Sequence, residues 1–144
     1  LEITSLLAKT RVEIAPETFS LVALRNEHWL KLLENPELSP RMTAPFMIFK
    51  DRWEVTLLVD ETDFDQMRAG LREARVEKGF RLLSFDIELD FSVVGLLAFV
   101  AEKLAERGIP VVALGAFSRD HFLIKQDDLA KALKVLGEFV EELC

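Results

Sequence analysis

The chain has 144 residues, half of them hydrophobic, with 18 basic and 25 acidic side chains and a net charge of −7. That length suits one domain or two very small ones. The acidic balance argues against nucleic acid or an anionic membrane as partner, because both require a basic face.

The one cysteine, Cys144, rules out an internal disulfide and fits a reducing compartment, so a cytoplasmic location is expected. No apolar run approaches the roughly 18 residues of a membrane span, and no secretory signal is visible. The sequence starts at Leu1 rather than at a methionine, so a preceding piece is expected to have been cut off or left out.

In chain order, Thr18 to Arg25 alternates as a strand, and His28 to Glu34 reads as a short helix. Asn35-Pro36-Glu37-Leu38-Ser39-Pro40 is a loop by composition. Phe46 to Phe49 and Trp53 to Val59 are rich in β-formers and flank Asp51-Arg52, which predicts a hairpin. Asp63 is expected to cap a helix through Met67, and Arg72 to Glu77 to form one more strand.

The next stretch alternates more cleanly. Leu83, Phe85, Ile87 and Leu89 face one way; Ser84, Asp86 and Glu88 face the other, as in a half-buried strand. Val93, Leu96, Leu97, Val100 and Leu104 follow helical spacing, with Ser92 or Asp90 as the cap and Gly108 and Pro110 as the stop. Val111 to Phe117 is apolar throughout and is expected to be a central strand. Ser118-Arg119-Asp120 supplies a turn, and His121 to Lys125 returns beside it. Asp127 or Asp128 opens a last helix with a stripe of Leu129, Leu133, Leu136, Val140 and Leu143.

The same order of elements recurs about 65 residues apart. Two βαββα units are therefore expected, each an antiparallel sheet with helices on one face, the ferredoxin-like α+β arrangement. The second unit lacks a closing strand after its last helix. Its open edge requires a cover, either a strand exchanged from the first unit or another subunit.

The strand-turn-helix at Leu89–Gly95 and the acid at Asp120 suit a ligand with a negative and a positive end, such as a free amino acid. A helix start receives a carboxylate, Gly95 allows close approach, and Asp120 can pair with an ammonium. Taken singly, Gly95 equally serves packing, Asp120 a turn, and Phe117 the core. Asp86, Glu88 and Asp90 read as a solvated strand face rather than a metal site. His28 and His121 lack partners at ligand spacing. No nucleotide, hydrolase or zinc-protease motif is present, so neither an enzyme nor a cofactor or metal is expected. An acylphosphatase-like reaction on the same fold is the remaining enzymatic alternative.

Three segments together resemble the ACT domain family, in particular tandem-ACT proteins related to the CASTOR arginine sensors and the regulatory part of aspartate kinases. They are Leu89-Asp90-Phe91-Ser92-Val93-Val94-Gly95-Leu96-Leu97, Leu104-Ala105-Glu106-Arg107-Gly108-Ile109-Pro110-Val111, and Ala116-Phe117-Ser118-Arg119-Asp120-His121-Phe122-Leu123-Ile124. The Gln126-Asp127-Asp128-Leu129 helix start fits as well. The resemblance runs from about Phe80 to the C-terminus and implies ferredoxin-like βαββαβ units in tandem, over 10–78 and 79–144. It also implies a homodimer and a regulatory site for an amino-acid effector between units or subunits. Carried over by position, the site comprises Asp90, Phe91, Ser92, Val93, Gly95, Ala116, Phe117 and Asp120. Ala116, Arg119 and His121 depart from the residues the family often has there. A ligand-free interaction module is the alternative.

Overall fold

The computed structural model describes residues 2–36, 39–41 and 43–144. The backbone divides into two compact units. One comprises residues 17–80; the other comprises 1–16 together with 81–144. We call them the inserted unit and the split unit. Residues 10–16, expected with the N-terminal unit, thus belong with the C-terminal one.

The elements, in chain order, are α1 (Ile3–Leu7), β1 (Arg11–Ile14), β2 (Phe19–Leu24), α2 (Asn26–Leu33), β3 (Met47–Lys50), β4 (Val55–Asp60), α3 (Glu61–Met67) and β5 (Arg75–Asp86). After them come α4 (Leu96–Ala105), β6 (Val112–Gly115), β7 (Asp120–Lys125), α5 (Leu129–Leu136) and β8 (Glu142–Leu143).

The inserted unit has strand order β3-β4-β2-β5, each pair antiparallel. Val22 and Leu24 of β2, Val55, Leu57 and Val59 of β4, Leu32 of α2, and Phe64 and Met67 of α3 form its core. Residues of one strand parity meet both helices, so the helices share one face of the sheet. The α3 helix is capped by Asp60, whose Oδ1 accepts from the Asp63 amide at 2.8 Å. Asp63, the expected cap, lies in the first turn and is fully buried. There its Oδ1 accepts from the backbone N and Nε of Arg41, at 3.1 and 2.9 Å. The expected hairpin stands as β3 and β4. Of the expected loop 35–40, Glu37 and Leu38 lie outside the described residues.

The two strands expected at Arg72–Glu77 and Arg81–Leu89 are one strand, β5. Gly79 lets it continue: its φ of +84° falls in the left-handed region, and a register shift opposite Phe19–Leu21 marks a bulge. The first half of β5 closes the inserted unit, and the second half begins the split unit.

In the split unit the order is β6-β7-β5-β1-β8. The open edge expected after the last helix is covered by β1, a strand from the range assigned to the first unit, which was one of the two covers expected. This strand pairs antiparallel with β5, Arg11 opposite Asp86 and Ile14 opposite Leu83. The short β8 then lies parallel to β1. One core joins Val12, Leu83, Phe85, Phe122 and Ile124 to Leu96, Val100 and Leu104 of α4 and to Ala132, Val135 and Leu136 of α5. Phe85 and Phe122 meet edge to face, with centroids 5.5 Å apart.

Two expectations are corrected. The apolar stretch Val111–Phe117 is not a central strand: β6 pairs only with β7 and is an edge. Its exposed positions are the small residues Ala113 and Gly115, apolar without being buried. The last helix ends at Leu136 rather than running on through Val140 and Leu143. The chain turns instead so that β8 can bond β1: Glu141 N to Thr10 O at 2.9 Å, Cys144 N to Val12 O at 2.9 Å and Ile14 N to Cys144 O at 2.7 Å.

Phe85→Ala is expected to lower stability by about 3–5 kcal/mol, as for other buried aromatic truncations. Deleting residues 1–16 should abolish the cooperative unfolding of the split unit. Urea titrations followed by circular dichroism check both, and a truncated chain that unfolds like the intact one would refute the role given to β1.

Candidate functional site

The split unit carries the segment singled out in the sequence. Strand β5 stops at Asp86, and nine residues, 87–95, lead into α4. This linker is held in place by the β6–β7 turn. The Leu89 amide donates to the Ser118 carbonyl at 2.8 Å. Arg119 on the same turn bonds Asp86 Oδ1 through Nε at 2.9 Å and approaches Glu88 Oε1 at 3.7 Å. The turn itself closes through Ala116 N to Arg119 O at 3.0 Å. Arg119 thus faces two acids, Asp86 at the end of β5 and Glu88 in the linker, and pairs with both. Among the described residues, no group of three or more His, Cys, Asp or Glu could hold a metal ion.

Asp90 shapes the middle of the linker. Its Oδ1 accepts from the Ser92 amide at 2.8 Å and from the Ser92 hydroxyl. The hydroxyl bond, then the amide bond, holds the Asp90 carboxyl below its ordinary 3.8. Neither Asp90 nor Ser92 caps α4. The N-cap is Gly95, with φ +94° and no side-chain cap, which leaves the first-turn amides of the helix without a side-chain acceptor. A Cβ on Gly95 would meet Ile3 Cγ1 at an ordinary 3.6 Å. The glycine supplies a left-handed backbone that other residues rarely adopt.

Asp120 opens β7 opposite Gly115. One carboxylate oxygen lies 3.8 Å from where a Gly115 side chain would begin. Its side chain has no hydrogen bond or ion pair to the described residues. Partial burial pushes its pKa above 3.8, and the neighbouring His121 opposes the shift. His121 itself is lowered by burial, against the pull of Asp120, with Arg119 adding to the lowering. Its Nδ1 lies 2.8 Å from Ser84 Oγ.

These pieces enclose a hollow of about 430 Å³ lined from Leu89 to Leu97 and from Ala116 to Asp120. Of the residues expected from the sequence, Asp90, Phe91, Val93, Gly95, Ala116, Phe117 and Asp120 line it; Ser92 does not, being turned toward Asp90. Phe117 is not core: it and Phe91 are fully exposed, at 101% and 103%, and Val94 is 78% exposed. Sequence reasoning missed the part played by Arg119 and by the Leu89 amide. The signal for Arg119 lay in the Asp86, Glu88 alternation; a backbone bond leaves none. In the inserted unit the corresponding strand-to-helix turn is Arg25 alone, so nothing similar is built there.

A profile of the ACT domain family matches residues 75–138. Several solved structures are similar over nearly the whole chain. One is a protein from Agrobacterium tumefaciens, with 17% identity, a TM-score of 0.69, and coverage of 94% of this chain and 92% of that one. A Vibrio cholerae protein described as a possible transport protein has 24% identity, a TM-score of 0.68 and 95% coverage of both chains. The regulatory subunit of aspartate kinase from Thermus flavus has 12% identity, a TM-score of 0.67, and coverage of 91% and 97%. At these identities the likeness is one of fold. No curated protein matches the chain. No helix among the described residues is long and apolar enough to cross a membrane.

Two substitutions probe the linker. Gly95→Ala forces a side chain into the left-handed region and should cost about 1–2 kcal/mol by denaturant titration. Ser92→Ala removes the main cause of the Asp90 shift, so the Asp90 carboxyl should titrate closer to 3.8. An NMR pH titration reads that change, and an unaltered midpoint would contradict the bonding described.

Proposed function

We propose that the chain, whose residues 75–138 match the ACT domain family profile, is a non-catalytic regulatory module that binds a free amino acid or a similar small effector. The site is the hollow of the split unit, and a second subunit completes it in a homodimer. The module works in the cytoplasm.

One observation carries the reading: a single carboxylate, Asp120, stands unpaired at a hollow whose other charges are satisfied. Arg119 is held by Asp86 and Glu88, and Asp90 by Ser92. A ligand ammonium therefore finds one partner, Asp120, while the first-turn amides of α4 receive the carboxylate. Charge-assisted bonds of about 1.5–3 kcal/mol each suffice for micromolar to millimolar binding, which needs roughly 4–8 kcal/mol. Regulation follows if the effector favours one packing of the subunits over another. The aspartate kinase regulatory subunit among the structural neighbours supports this reading by its fold.

A second reading, a docking module without a small ligand, is favoured by the exposure of Phe91 and Phe117. Under it, Phe91→Asp should lower the oligomeric state seen by light scattering, with no amino acid changing the melting curve.

The effector reading has its own test. In a thermal-shift screen of the common amino acids, at least one should raise Tm, and Asp120→Asn should reduce that rise. The sign of the Asp120 shift adds a second outcome. With its folded pKa above the ordinary 3.8, Asp120 favours the folded state when protonated, and that contribution fades as pH rises through the folded value. At neutral pH Asp120→Asn should therefore leave the ligand-free protein at least as stable while weakening binding. Effector affinity should climb as Asp120 ionises and level off above its pKa. Flat melting curves for every amino acid would refute the effector.

A further inference from the structure

The inserted unit holds a different kind of concavity, one that the proposed function does not use. We infer that the groove between α2 and the turn at Arg68–Leu71 is a binding site for a small metabolite bearing an oxyanion, a phosphate or carboxylate group.

The groove has a volume of about 400 Å³, within the range of small-molecule sites. One wall is the face of α2 that carries His28, Lys31 and Leu32, at spacing i, i+3, i+4, with Asn35 just past the end of the helix. The opposite wall is Ala69, Gly70, Arg72 and Glu73. Leu32 is buried at the base and fixes the helix against the core of the unit.

Its charge sets it apart. The chain carries a net −7, and four of the other five arginines in this unit, Arg25, Arg41, Arg68 and Arg75, each have an acidic partner within 4.0 Å, while Arg52 lies over the Trp53 ring. Lys31 and Arg72 have none among the described residues, although Glu73 lines the same groove. Two unneutralised cations on opposite walls therefore face one space. Lys31 alone is explained by its place in the last turn of α2, where a cation complements the helix dipole. Arg72 is not on that helix, so the dipole does not account for the pair. His28 adds a further polar group: its Nδ1 is shut off from solvent and has no hydrogen-bond partner among the described residues. A guanidinium fork and an ammonium across a groove are a suitable donor set for a phosphate or carboxylate group.

The test uses the full chain, labelled with nitrogen-15, titrated separately with inorganic phosphate and with acetate at ionic strength held constant by sodium chloride. At least one anion should give saturable amide shifts confined to residues 28–35 and 69–73. Phosphate saturating alone assigns the site to phosphate esters; acetate saturating alone assigns it to carboxylates. Lys31→Gln and Arg72→Gln should each weaken binding about tenfold or more, since a charge-assisted bond is worth about 1.5–3 kcal/mol. Lys31→Arg should keep affinity within about threefold, and Glu73→Gln should tighten binding by removing a repelling carboxylate. All three side chains altered are exposed, and the dispersion of each spectrum reports that the variant is folded. Shifts that grow linearly with both anions, or that survive Lys31→Gln and Arg72→Gln unchanged, would overturn the inference. A failed amino-acid screen at the split unit would leave this result untouched.

Discussion

The pairing of β1 with β5 is the constraint on which the split unit depends. Without it, the second half of β5 would have β7 on one side and nothing on the other, an exposed edge through the middle of a hydrophobic unit. The same pairing delivers Val12 to the core beside Leu83 and Phe85. It also provides the surface on which Glu142 and Leu143 settle as β8. The hollow between Leu89 and Asp120 inherits its rigidity from this arrangement. Its linker leaves from the end of β5, and its turn is anchored by β7, which pairs with β5.

Most of the individual elements were legible in the sequence because they rest on local periodicity. The alternation through Leu83 and Phe85 and the hairpin around Asp51-Arg52 needed no distant partner to be recognised. What escaped was decided over long separations. Nothing near residues 11–14 announces that they complete a sheet begun after residue 80, and Leu143 keeps helical spacing with Leu136 although it lies in β8, paired with β1. The segments on either side of Gly79 read as separate strands, whereas its left-handed backbone lets β5 run through. In Val112–Gly115, apolar composition was mistaken for burial because alanine and glycine are hydrophobic without being large.

The candidate site shows the same division. The residues lining the hollow were legible as a group because the strand-turn-helix and the following hairpin each have strong local signals. Their individual roles were less so. Gly95, expected to allow close approach, supplies a left-handed backbone conformation; Ser92, expected at the site, bonds Asp90. Arg119, which departs from the residue the family often has there, ties the turn to Asp86 at the end of β5 and to Glu88 in the linker. By satisfying Asp86 and Glu88 it leaves Asp120 as the carboxylate that an incoming cation would meet.

The adjacency of the two ends of the inserted unit has a kinetic consequence. Phe19 pairs with Phe80, so once that unit has folded, Pro16 and Arg81 leave it from neighbouring positions. The Ala15 amide then has only to reach the Leu82 carbonyl, 3.0 Å away in the finished structure. A long loop whose interior is already folded behaves as a short one, and the entropy of bringing β1 to β5 shrinks accordingly. Folding of the inserted unit therefore lowers the entropic cost of closing the split unit around ends already brought together.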